Sequence, residues 1–366
     1  MKKISSLFLI ALTINFNAMT QTKNSDLEVV ASFGKSQPIG VSVSSDNRVF
    51  VSFPKKDPYL FGLTEIVNGE RVAYPNKEWN ETEGDYKKHF LNVQDIYVDT
   101  KDQLWVLDSK PASSGSIFGS DGKDKKQEGQ FKLVQIDLKD NKVMNVFTFD
   151  DLDKSKSGLN DVRVDTEKEL AYLSDPGQAA IIVLDLKTGK TRKALSQTKF
   201  TLAKEDIVLT YNGHEMRDKN GNPFKSNVNG IALTKDNKWF YFKPINELNL
   251  YRIETKFLAD STLTQDELIA KVENMGEVGV THGLVADKEG NIYLTTSLDY
   301  SVRRLTPEGK LEIVVQDPRL LWPDSLGVGS DGYLYFSCAQ MQLLPQWNNG
   351  KNLVQDPYQV YRIKVL

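Results

Sequence analysis

The chain has 366 residues, with 46 lysines and arginines against 49 acidic residues, 40% hydrophobic and 26% charged residues, one cysteine and three histidines. These proportions are those of an ordinary globular protein and exclude disordered, collagenous and disulfide-stapled classes, while a lone cysteine rules out an internal disulfide and a cysteine-rich metal site. A formal net charge of −3 leaves no basic surplus for a phosphate backbone, so no nucleic-acid partner is expected. No apolar run reaches the roughly 18 residues of a membrane span.

In chain order, Lys2 and Lys3 precede an apolar stretch from Leu7 to Phe16, followed by Ala18, Met19 and Thr20. Charge, short apolar core and small residues, in that order, read as a secretory signal peptide over residues 1–20. The core is too short to anchor a helix in a bilayer. The expected mature protein, residues 21–366, is therefore a single exported domain, secreted or periplasmic, made more acidic by loss of the two lysines.

Beyond residue 26 the chain reads as short strands of Val, Ile, Leu, Tyr and Phe separated by Asp/Asn/Gly/Lys turns. Six segments share one shape, a strand, a tight polar turn and a second strand rich in aromatics. They are PIGVSVSSDNRVFVSF (38–53), VQDIYVDTKDQLWVLD (93–108), LNDVRVDTEKELAYLS (159–174), VNGIALTKDNKWFYFK (228–243), THGLVADKEGNIYLTT (281–296) and PDSLGVGSDGYLYFSCA (323–339). A further strand pair follows most of them, as in AIIVLDLKTGKTRKAL (180–195). Four antiparallel strands per unit, six times over, predict an all-β, six-bladed β-propeller. The last hairpin is followed by only one strand (358–365), so the orphan strand LEVVASF (27–33) is expected to complete that blade and close the ring. A pair of β-sandwiches is disfavoured because all six hairpins share one register and no linker separates two halves.

Three segments break the repeat. Residues 110–130 are poor in apolar residues and read as a loop. Residues 196–227 hold a further hairpin with Asn-Gly turns. In 264–276, Leu268, Ile269 and Val272 at helical spacing, with Thr264 three residues before Glu267, predict a capped helix.

The first strand of a propeller blade lines the central channel. Aligning the hairpins on Phe50, Trp105, Ala171, Phe240, Tyr293 and Tyr335 and stepping back eleven residues gives Ile39, Gln94, Asn160, Asn229, His282 and Asp324. All but the first are polar, in strands otherwise rich in Val and Ile, which points to a lined pocket for a small molecule. A water-filled channel is the plainer alternative. The next residues are Gly40, Asp95, Asp161, Gly230, Gly283 and Ser325. If these face the channel, Asp95 and Asp161 are its carboxylates. A lone histidine is usually structural, but His282 beside the Asp324 carboxylate is a candidate general base. Asn160, Asn229 and Asp324 offer oxygens to a calcium ion. His89 and His214 fall between blades and are expected at the surface. Cys338 reads as a small buried hydrophobe. No GxSxG, phosphate loop or HExxH is present.

The stretches VQDIYVDTKDQLWVLDS (93–109), LNDVRVDTEKELAYLSD (159–175), NGIALTKDNKWFYFKPINELNLYRIETKFL (229–258) and WPDSLGVGSDGYLYFSCAQMQ (322–342) resemble the yellow / major royal jelly protein family across nearly the whole mature chain. Its Lys/Asn-rich usage and minimal leader suggest a bacterial member. The resemblance implies a secreted six-bladed propeller; insect members bind biogenic amines, are associated with melanin synthesis, are reported to isomerise dopachrome, or are nutritive. Amine binders carry an Asn in the last blade where this chain has Ala339. A more distant likeness to gluconolactonase/regucalcin-type propellers implies a calcium on Glu, Asn, Asn and Asp, which fall here on Ile39, Asn160, Asn229 and His282. Three expectations follow. The first is a binder of a small polar or aromatic metabolite, with isomerisation driven by His282 and the amides. The second is a calcium-dependent lactone or ester hydrolase. The third is a non-catalytic scaffold that uses the 110–130 loop on the face of the ring.

Overall fold

The computed structural model describes residues 26–109 and 130–365. The leader, and residues 110–129 of the inserted loop, lie outside them. Among the described residues, six four-stranded antiparallel sheets form a ring, five of them running in chain order from the axis outward. The innermost strands are Val41–Val43, Val93–Val98, Val162–Asp165, Val228–Leu233, Leu284–Ala286 and Pro323–Val328. We number the blades one to six in that order. Closure is as expected: Glu28–Ser32 pairs antiparallel with Gln359–Lys364, which makes the N-terminal strand the outer strand of blade six. The Arg362–Glu28 ion pair (2.7 Å) spans the seam.

Alternating apolar residues on each strand fill the wedges between blades. Blade three presents Tyr172 and Ile181 to Ile231, Phe240 and Phe242 of blade four, and blade six presents Tyr335 and Val360 to Val41 and Val51 of blade one. The cross-strand pairs Arg163↔Tyr172 and Ala232↔Tyr241 correspond to Ser42↔Phe50. The turns of blades three and four therefore carry one more residue, and Tyr172 and Tyr241, rather than Ala171 and Phe240, are the equivalents of Phe50. Asn160 and Asn229 keep their ring positions because the longer turn and the shifted anchor cancel.

Near the axis the blades are joined by polar latches. Ser52 Oγ accepts from the N–H of Gly40 (2.8 Å) and donates to the carbonyl of Gln94 in blade two (3.2 Å). Thr295 Oγ1 does the same between Gly283 (2.9 Å) and Asp324 of blade six (3.1 Å), and Ser337 Oγ donates to the carbonyl of Ile39 (2.6 Å). The blades approach so closely here that a Cβ on Gly230 would fall 2.2 Å from the carbonyl oxygen of His282, and one on Gly283 would fall 2.0 Å from that of Asp324.

The other segments cover rather than extend the ring. The expected 264–276 helix is confined to Gln265–Ile269, with the Thr264–Glu267 capping box in place; residues Glu273–Glu277 instead form the fourth strand of blade four. Pairing with Asn249–Glu254 there outweighs continuation of a short helix. A second short helix spans Thr255–Ala259. The 196–227 hairpin turns at Asn212 and Gly213, both at positive φ, as its Asn-Gly pair requires.

Gly283→Ala should cost about 1–3 kcal/mol by overpacking, whereas Gly158→Ala, whose Cβ would meet nothing closer than 3.7 Å, should leave the melting temperature nearly unchanged; thermal unfolding of the two variants checks this.

Candidate functional site in the central channel

The strand starts converge as the register required. Ile39, Gln94, Asn160, Asn229, His282 and Asp324 line one cavity at the axis, and Asp95, Asp161, Gly283 and Ser325 line it as well, so both residues of a pair contribute. Gln94, Asn160, Asn229 and His282 are buried, and Asp161 and Asp324 half-buried. The cavity has a volume of about 20 Å³, enough for a water molecule or two.

The cavity is floored by Arg163, which lies in the innermost strand of blade three where other blades place Ser42, Tyr97 and Ala232. Its guanidinium binds Asp95 Oδ2 (3.0 Å) and the carbonyl of Val162 (2.6 Å), and reaches the carbonyl of Leu284 in blade five (3.0 Å). Asp95 also accepts the N–H of Val162 (2.9 Å). One buried cation thus serves a cavity lined by three carboxyls.

That imbalance sets their protonation. Burial raises the Asp95 carboxyl, with Arg163 and the N–H groups of Val162 and Ile96 opposing. Asp161 is driven well above the carboxylate range by burial and then by the Asp95 charge. Asp324 is pushed up to about 7 by burial and by Asp95, with a hydrogen bond from Trp322 opposing. Burial, reinforced by the neighbouring Lys243 ammonium, holds His282 well below the usual histidine range. Lys243 is itself lowered to about 7 by burial, its Nζ donating to the carbonyls of Glu247 (2.6 Å) and Gly279 (3.0 Å).

The His282 ring stacks on Trp322 (centroids 3.9 Å apart, planes at 24°). Its Nε2 meets Ser297 Oγ at 2.5 Å, and Ser297 Oγ meets the hydroxyl of Tyr211 at 2.6 Å. The amides are partly committed to one another: Asn160 Nδ2 donates to Asp161 Oδ1 (2.7 Å), Gln94 Nε2 donates to Asn160 Oδ1 (3.4 Å), and Asn229 Nδ2 donates to Ser226 Oγ (3.3 Å).

Over the cavity, the 196–227 segment and residues 339–357 meet in an apolar cover containing Tyr211, Phe224, Trp322, Met341 and Trp347. Phe224 sets its ring edge-on against both Trp322 and Trp347, with centroids 5.7 Å apart in each case. His214 Nε2 bonds the carbonyl of Trp347 (3.1 Å).

Sequence reasoning missed Arg163, Trp322, Met341, Ser297 and Tyr211. Arg163 carried a legible signal, a charge at an inward position of a buried strand. Tyr211 carried none, because an insertion has no register. His214 is exposed as expected. His89 is not a surface residue: it is 5% exposed, packed where Lys132 Nζ donates to its carbonyl (2.8 Å), and burial lowers its pKa. Cys338 is buried in the wedge between blades five and six, where burial pushes its thiol well up.

Calcium wants 6–8 oxygens, several of them anionic. Of the four family positions, Ile39 has no donor, His282 is a neutral ring and the oxygen of Asn160 is already engaged by Gln94. Among the described residues no three His, Cys, Asp or Glu side chains gather as a metal-ligating group. The donors at those four positions do not fit a resident calcium.

Against known proteins, the family model described as major royal jelly protein matches residues 91–364. The chain belongs to the major royal jelly protein family. It is 25% identical over 214 residues to the yellow-related salivary protein LJM17 of Lutzomyia longipalpis (54% of this chain, 49% of that one). It is 22% identical over 278 residues to major royal jelly protein 3 of Apis mellifera (71% of this chain, 47% of that one). The chain thus spans about half the length of the curated relatives it matches. Among solved structures, a calcium-binding protein, regucalcin, of Agrobacterium tumefaciens superposes with a TM-score of 0.52 at 14% identity, covering 92% of this chain and 93% of that one; this likeness shows the shared fold. No helix among the described residues is long and apolar enough to cross a membrane.

Two outcomes are expected. Arg163→Met strands the Asp95 carboxyl and should cost about 3–5 kcal/mol, much of it recovered in the Asp95→Asn/Arg163→Met double variant; chemical denaturation of the three proteins measures the coupling. Calcium should leave the melting temperature where EDTA leaves it. An ion bound at about 100 times its dissociation constant would add roughly 2.7 kcal/mol.

Proposed function

We propose that the protein is an exported propeller that binds a small polar or aromatic metabolite in the axial cavity and isomerises it by proton transfer. The observation that carries the reading is Asp324. Its carboxyl, poised near neutrality, shares a covered, water-poor cavity with a neutral histidine. A general acid–base group works best when its pKa lies near the working pH. The Asp324 carboxylate takes a proton from a carbon beside the substrate carbonyl and returns it at a second position, and His282 and the amides of Gln94 and Asn229 steady the charge that develops on oxygen. The electron pair of the broken C–H bond forms a C=C bond as the carbonyl becomes C–O⁻, and return of the proton from Asp324 at the second position completes the isomerisation with no net oxidation or reduction. Anything larger than water requires the cover formed by 196–227 and 339–357 to move, which suits a site that excludes solvent during turnover. The leader pattern at Lys2, Lys3 and Leu7 to Phe16 supports export.

The test is a thermal-shift screen of small polar and aromatic metabolites, followed by an absorbance assay of keto–enol conversion for each binder. Asp324→Asn should abolish turnover while retaining binding, and wild-type activity should fall as pH drops below about 7. Full activity in Asp324→Asn or in His282→Ala sinks the mechanism. Stability carries a parallel signature. The Asp324 carboxyl holds its proton up to about pH 7 in the folded chain but only to about 3.8 unfolded, so its contribution is complete below pH 3.8 and is lost as pH rises through 7. Melting curves should therefore show Asp324→Asn gaining on wild type between pH 5 and pH 8.

A further inference from the structure

The hydrogen-bond chain from the cover to His282 has a direction. Tyr211, Ser297 and His282 are 7%, 0% and 1% exposed. Among the described residues the Tyr211 hydroxyl has one partner, Ser297 Oγ. Ser297 Oγ has two, Tyr211 and His282 Nε2. His282 Nδ1 is buried with no partner. A buried phenol keeps its proton, and a buried O–H that donates to nothing forfeits the full cost of its desolvation. Tyr211 therefore donates to Ser297, which leaves the Ser297 hydrogen to be donated onward to Nε2. A neutral imidazole whose Nε2 accepts must carry its proton on Nδ1.

Resting on the reading of the cavity as a ligand site, we propose that His282 presents Nδ1–H there as an unsatisfied donor, held in that tautomer by Tyr211 through Ser297, and that the ligand it recognises is a small molecule with a carbonyl or enolate oxygen. An orphaned N–H in a buried site is rare unless a ligand completes it. His282 lines the cavity, and with Nε2 committed, Nδ1 is the ring atom left to meet a ligand. A neutral imidazole of this kind polarises a carbonyl as an electrophile and does not take up a proton. The structure thus divides the roles: Asp324 moves the proton and His282 holds the oxygen. Tyr211 is a positioning residue. Because it arrives on the 196–227 segment, the cover that shuts the cavity also sets the tautomer.

The experiment uses the mature chain labelled with 15N, whose three histidines give separable long-range 1H–15N side-chain patterns. His282 is expected as the Nδ1–H tautomer. Tyr211→Phe and Ser297→Ala should shift it toward Nε2–H or a mixture, with His89 and His214 unmoved, a response that loss of packing alone would not produce. At pH 6 cyclohexanone, an acceptor, should bind roughly tenfold tighter than the similarly shaped methylenecyclohexane, which has no acceptor, about the worth of one hydrogen bond to a buried donor, and should move the Nδ1–H signal. An Nε2–H tautomer in the wild type, or a tautomer indifferent to both variants, overturns the donor assignment. Hydrocarbon binding as tight as ketone binding overturns the ligand class. The Nδ1–H tautomer with neither probe bound overturns the cavity as a ligand site and leaves the donor assignment standing.

Discussion

Six strands that start side by side at one axis present their backbone amides and carbonyls to a place where neither water nor a regular ladder can satisfy them. Buried backbone groups must be paired, and this ring pairs them across blades. Ser52, Thr295 and Ser337 each pass a hydrogen bond from one blade to the next, and Asp95 does so with a carboxylate toward Val162. Where a side chain would collide with the neighbouring backbone, as at Gly230 and Gly283, there is none. Everything at the axis depends on this packing. The latches hold the blades close at the axis, and the cavity between them is correspondingly small.

Burial then makes the chemistry. Three carboxyls and a histidine in water would be three charges and a weak base. Around this cavity, one guanidinium answers for Asp95, while Asp161 and Asp324 are pressed toward their neutral forms. His282, flanked by the Lys243 ammonium rather than by a carboxylate contact, stays neutral from the other side. The site is near electrical balance without an ion pair for each acid, and that balance leaves Asp324 able to titrate in the neutral range.

Much of this was legible in the residues. The polar starts Gln94, Asn160, Asn229, His282 and Asp324 stood out because a strand of Val and Ile has no other use for them at an inward position. The closing strand was legible because blade six lacked one. The outer strand Glu273–Glu277 was not: its local pattern favours a helix, and only the unsatisfied edge of Asn249–Glu254 recruits it. His89 looked like a surface residue because no periodicity places a loop residue, yet Lys132 and the neighbouring segments bury it.

The sequence by itself determined the number of blades, the way the ring closes and which strand starts stand at the axis, since all three follow from a period and a register, which are properties of order along the chain. Only the tertiary structure decided that Arg163 crosses the axis to Leu284, that Tyr211 reaches His282 through Ser297 and that two distant insertions close over them. Those contacts join residues tens to more than a hundred positions apart. They are set by where the ring's curvature brings the chain back upon itself, a distance that no local pattern encodes.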